Sequence, residues 1–85
     1  MVKKDVLVRR DIWDSYEVAR LIQLAMKYNA SLHMEHEAYC VNAKSMMGLL
    51  CLGLTAGMHI TLIGDGADEA AAVSELSEFL TAQRP

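Results

Sequence analysis

The sequence predicts an α+β domain: one sheet with helices packed on one face, in the order β-α-β-β-α-β-α. Two observations carry this prediction. Apolar residues recur at the two-residue period of strands in four segments and at helical spacing in three, with the two kinds interspersed. The chain has only 85 residues, which leaves room for one sheet and one helical layer. Composition fits a folded chain, since 53% of residues are apolar, 22% are charged and one is proline, unlike disordered or collagen-like sequences. Residues 1–85 read as a single domain with no repeat, linker or low-complexity tract. A chain of this size buries only about 60% of its unfolded surface, so a thin core is expected.

Lys4 to Arg9 reads as the first strand, with Val6 and Val8 on one face. Asp14 then stands where a helix N-cap would accept from backbone N–H groups, and Glu17 follows at the capping-box spacing. Val18, Leu21, Ile22 and Ala25 give that helix its apolar stripe, and Asn29 is a natural left-handed stop. Leu32, Met34 and His36 alternate with Ser31, His33 and Glu35 as a second strand. Tyr39 to Asn42 is a third, after a turn at Glu37-Ala38 whose residues disfavour positive φ. Ser45 caps a short helix that ends near Gly53, and His59 to Ile63 forms the fourth strand. Asp68 to Leu80 is the last helix, with Val73, Leu76, Phe79 and Leu80 inward and Asp68 and Glu69 favourably near its N-terminus.

Charge and composition narrow the function. The formal net charge is −3 and no Lys/Arg run exceeds two residues, which argues against nucleic-acid binding. No apolar segment follows Met1 to Asp5, so no secretory signal is read and a cytoplasmic address is expected. Ser45 to Gly64 lacks fixed charges over a span long enough to cross a bilayer. Its four glycines and its change of period read instead as two short elements, so no membrane association is expected.

The segment Val41-Asn42-Ala43-Lys44-Ser45-Met46-Met47-Gly48-Leu49-Leu50-Cys51-Leu52-Gly53 resembles the regulatory-serine segment of HPr, the phosphocarrier of the bacterial sugar phosphotransferase system. Gly66-Ala67-Asp68-Glu69 and the Ala/Leu-rich helix after it are similar to the family's last helix, and Gln23, Ala25 and Lys27 fit its first. The resemblance runs over nearly the whole chain. It implies the HPr-like open-faced β-sandwich, with four antiparallel strands and three helices on one side.

The family carries Gly-(Leu/Ile)-His-Ala-Arg-Pro-Ala at the start of its first helix, where the histidine takes a phosphoryl group from enzyme I. Aligned without a gap from Lys27, this chain reads Ile12-Trp13-Asp14-Ser15-Tyr16-Glu17-Val18. Asp14 matches the histidine, Tyr16 the arginine and Glu17 the proline, while His33, His36 and His59 lie elsewhere. The family's chemistry needs an uncharged ring nitrogen to attack phosphorus, with backbone N–H groups and a cation to hold the resulting anion. A carboxylate in place of that nitrogen, with the cation gone and Glu17 adding a second negative charge, is expected to repel a phosphoryl donor. Asp14 and Glu17 then only cap the helix. The alternative is a genuine phosphocarrier using Asp14 or another residue, but an aspartyl phosphate usually requires a divalent cation that this pair is poorly placed to hold.

The resemblance matches Ser45 to the serine phosphorylated by HPr kinase/phosphorylase, and Met46, Met47 and Leu50 to the patch through which the family docks its partners. A phosphate at Ser45 would sit at a helix N-terminus, where its charge is favourable; the residues alone make Ser45 no more than an N-cap. Leu49 and Leu52 would face the core, leaving part of the Met46, Met47 and Leu50 set exposed as a flexible partner surface. The expected function is that of an HPr-like regulatory or protein-binding module without enzyme activity, like the Crh-type homologues that also lack the histidine. Its partners would be proteins of the phosphotransferase and carbon-regulation network, HPr kinase/phosphorylase first. A transcriptional regulator is the other candidate, though the family's docking to it also uses the arginine replaced by Tyr16. Trp13 either joins Tyr16 in an aromatic face beside the patch or seals the helix edge as a half-buried indole. His33, Glu35 and Glu37 share the spacing of a metal face or of a solvated one, and no metal or cofactor is implied. Cys40 and Cys51 read as small buried hydrophobes.

Overall fold

The computed structural model describes residues 1–82. Seven elements follow one another: β1 (Val2–Leu7), α1 (Ser15–Met26), β2 (Ser31–His36), β3 (Tyr39–Asn42), α2 (Met46–Leu52), β4 (His59–Asp65) and α3 (Glu69–Thr81). The strands form one antiparallel sheet in the order β1-β4-β2-β3. The architecture is the one expected from the sequence, an open four-stranded antiparallel sheet with three helices. Register follows the alternation of the sequence. Val6 lies opposite Ile60, Leu62 opposite Met34, and Met34 opposite Val41, so one face of the sheet is apolar. Val18, Leu21, Leu49, Leu76 and Leu80 come from the three helices to complete the core. The other face carries Asp5, Thr61, Glu35 and Cys40 in a row across the four strands. Among the described residues, no helix is long and apolar enough to cross a membrane.

The structure shifts several local expectations. β1 runs from Val2 to Leu7, where Lys4 to Arg9 was expected, because the chain turns toward α3 after Val8. The N–H groups of Arg9 and Arg10 both donate to the carbonyl of Leu80. Asn29 does not stop α1 in the left-handed region. The helix ends at Lys27 with αR geometry, and the following N–H groups of Asn29 and Ala30 donate to the Asp68 carboxylate, both at 2.9 Å. The carboxylate of Asp68, the N-cap residue of α3, thus fixes the chain just after α1 by accepting from its backbone N–H groups. Glu37 takes the positive φ of the β2–β3 turn, at 54°, despite its poor suitability. Gly66, at φ 152°, lies so near Ala30 that an added Cβ would come within 2.7 Å of the Ala30 Cα. Those two loops therefore meet backbone to backbone.

Candidate functional site

The entrance to α1 is built around Asp14. Its extended backbone and its Oδ1, which accepts from the N–H of Glu17 at 2.9 Å, make it the N-cap. The side chain is exposed but its oxygen is already engaged with the helix's free donors. Trp13 is half-buried; its Nε1 donates to the carbonyl of Arg10 at 2.7 Å and its ring lies 6.1 Å from that of Phe79. The geometry is that of an indole sealing the helix edge. Tyr16 points outward, 68% exposed.

Glu17 corrects the expectation drawn from sequence. It is not a second negative charge facing solvent, because it is 0% exposed. Its Oε1 accepts from Arg10 Nη1 at 2.5 Å and its Oε2 from Arg20 Nη1 at 3.2 Å. Arg10 is itself buried; its Nε donates to the Phe79 carbonyl at 3.1 Å and its guanidinium lies 4.0 Å over the Phe79 ring. The cations at the start of α1 are therefore present, supplied by Arg10 and Arg20 and committed to Glu17. Arg20, three residues after Glu17, lay at a readable helical spacing. Arg10 did not, since a loop and the backbone of α3 place it.

The second part of the site is α2. The Ser45 Oγ accepts from the N–H of Gly48 at 3.1 Å, and Gly53 closes the helix at φ 72°, both as expected. Leu49 and Leu52 are buried, whereas Met47 and Leu50 are 76% and 54% exposed. Met46 packs half-buried against the core, so only part of the Met46, Met47 and Leu50 set is exposed, as expected. Gly48 allows α2 to lie close to β3, since a Cβ on it would stand 3.2 Å from that of Val41. Cys40 and Cys51 are both free and exposed, contrary to the expectation of burial. Cys40 alternates with inward-facing Val41 on an edge strand, and Cys51 falls on the outer side of a helix whose inner side is Leu49 and Leu52. A shallow cleft on the open face is lined by Asp5, Glu35, His36, Glu37, His59, Ile60 and Thr61. His33 and Glu35 point to that face but Glu37 belongs to the turn. Among the described residues, no group of three His, Cys, Asp or Glu side chains is placed to hold a metal ion.

A family model described as the PTS HPr component phosphorylation site matches residues 17–82. The chain belongs to the HPr family. HPr from Bacillus anthracis is 30% identical with a TM-score of 0.88, over 94% of this chain and 96% of that one. The HPr structure from Thermoanaerobacter tengcongensis called HPr-C-His also has a TM-score of 0.88, at 27% identity over 94% and 91% of the two chains. Crh, the catabolite repression protein of Bacillus subtilis, is 33% identical with a TM-score of 0.75, over 94% and 93%. The matched stretch begins three residues after Asp14 and takes in the whole of α2 and Ser45.

Proposed function

We propose that this HPr-family chain is a regulatory, protein-binding module that does not relay phosphoryl groups and is switched by phosphorylation at Ser45. The observation that carries the reading is Asp14. The residue aligned with the family's phospho-accepting histidine is a helix cap whose oxygen holds the N–H of Glu17. A carboxylate so engaged is a poorer nucleophile than a free imidazole nitrogen, and its charge opposes an approaching phosphoryl group. Ser45 supports the regulatory half. It caps α2 beside Met47 and Leu50, so a phosphate would add charge to the rim of an apolar surface while the helix N–H groups still find an acceptor. Met46, Met47 and Leu50, with Tyr16 and Trp13 at the neighbouring helix entrance, form the proposed contact set; Met46 and Trp13 contribute through their exposed edges. The partners are proteins of carbon regulation, including HPr kinase/phosphorylase.

Two measurements test this. Treatment with HPr kinase/phosphorylase and ATP is expected to add one phosphate to the wild-type mass and none to Ser45→Ala; an unmodified wild type removes the switch. Labelled phosphoenolpyruvate with enzyme I is expected to leave the chain unlabelled. A hydroxylamine-labile label that disappears in Asp14→Asn would establish an aspartyl-phosphate carrier instead.

A further inference from the structure

At the entrance of α1, two guanidinium groups close on one carboxylate. This is how proteins hold an oxyanion, except that here the oxyanion belongs to the chain. Arg10 is oriented independently of Glu17, by its Nε bond to the Phe79 carbonyl and its stacking on the Phe79 ring. Removing the carboxylate therefore leaves that guanidinium aimed at the same point. Arg20 is 47% exposed and reaches Glu17 from the solvent side. With Gln23, Leu24, Lys27 and Phe79 it lines a cleft of about 390 Å³ beside the cluster. That cleft reaches the cluster through Arg20, its outer arginine, while Lys27 on its wall is already paired with Glu75.

We propose that Arg10 and Arg20 form a latent oxyanion seat that Glu17 occupies from within the chain. The wild-type entrance of α1 is thereby closed to inorganic phosphate and to phosphorylated side chains. Glu17 closes it in two ways: its oxygens take the arginine donors, and its charge cancels the attraction that would draw a second anion in. The inference rests on reading α1 as a site without phosphoryl transfer, and it explains how two arginines coexist there with no carrier function. Binding and transfer are separate observables, so failure of one is distinguishable from failure of the other.

The test is Glu17→Ala, which removes the charge and vacates the space between the two guanidinium groups. Wild type and variant are titrated with inorganic phosphate while NMR follows the Arg10 and Arg20 Nε–H signals and the amides of residues 14–18. Wild type is expected to show no saturable shift, and the variant a saturable one at least about tenfold tighter than any wild-type response. Saturable wild-type binding at Arg10, or a folded variant with no gain, overturns the proposal. Should Glu17→Ala be unfolded in chloride, phosphate at matched ionic strength is expected to restore its fold through binding. The double variant Arg20→Gln/Glu17→Ala should not be restored. Equal restoration of both, or of neither, overturns the seat. Labelling from enzyme I is read in parallel: label on wild-type Asp14 with an unresponsive seat defeats the non-carrier reading and leaves the seat standing.

Discussion

Glu17 and Asp14 are neighbours in the first turn of α1, yet the cost of losing each is set by different physics. Glu17→Ala leaves Arg10 buried and without its counter-charge, and is expected to cost about 3–5 kcal/mol. Arg20→Ala removes a half-exposed partner and should stay within about 1 kcal/mol. Urea denaturation checks the order; a milder Glu17→Ala would show that the buried pair does not hold the entrance together. Asp14→Ala loses one cap bond, about 1 kcal/mol, which the same measurement reads. The cap was legible in the sequence because capping is local: Asp14 and the N–H of Glu17 are three residues apart. The arginine cluster was not. Arg10 depends on the Phe79 carbonyl, a contact between residues 69 positions apart that no local pattern records.

At the level of the elements, α2 separates stability from recognition. Ser45→Ala removes the bond to the Gly48 N–H and should cost about 1 kcal/mol. Met47→Lys changes a side chain that is mostly in solvent and should alter stability by less than about 0.5 kcal/mol, while abolishing partner capture. A pull-down with each variant beside a thermal melt distinguishes the two. If Met47→Lys keeps full binding, the patch is not the docking surface. All seven elements and their order could be read in advance, most from their period and α2 from its Ser45 cap and its end near Gly53. Their joints could not. Asn29 is expected to end α1 by its own conformation, but the helix ends at Lys27 in αR geometry and the Asn29 N–H is held by Asp68, the N-cap residue of α3. Glu37 accepts an unfavourable φ because pairing of β2 with β3 on both sides of the turn outweighs one residue's preference. The cysteines were misplaced for a simpler reason: residue type favoured burial, and the face of the element decided against it.

Across the whole molecule, carboxylates join helices and loops that are far apart in the chain. The N–H of Asn29, then that of Ala30, holds the Asp68 carboxyl below the usual carboxylate range. Glu69 is lowered first by the nearby Gly66 N–H and then by the amino group of Met1, which ties the start of the chain to α3. Glu75 is lowered first by the Tyr28 hydroxyl and then by Lys27, which tie α3 to the end of α1. A carboxyl depressed in the folded state stabilises it fully above the unfolded value and loses that contribution as the pH falls through the folded one. Stability is therefore expected to decline below about pH 4, and Asp68→Asn should remove part of that dependence. The Tyr28 phenol is raised, chiefly by its bond to Glu75. Its contribution is complete below the unfolded value and fades above about pH 10. Urea midpoints across the acid and alkaline ranges check both limbs; a midpoint that climbs on acidification would contradict the carboxylate assignments. Gly48 carries a different lesson. Its missing methyl sets the standoff between α2 and β3, so a bulkier residue there would act as a wedge, tilting Met47 and Leu50 while leaving both chemically intact. Mutagenesis confined to solvent-facing positions would overlook this hidden adjuster of recognition.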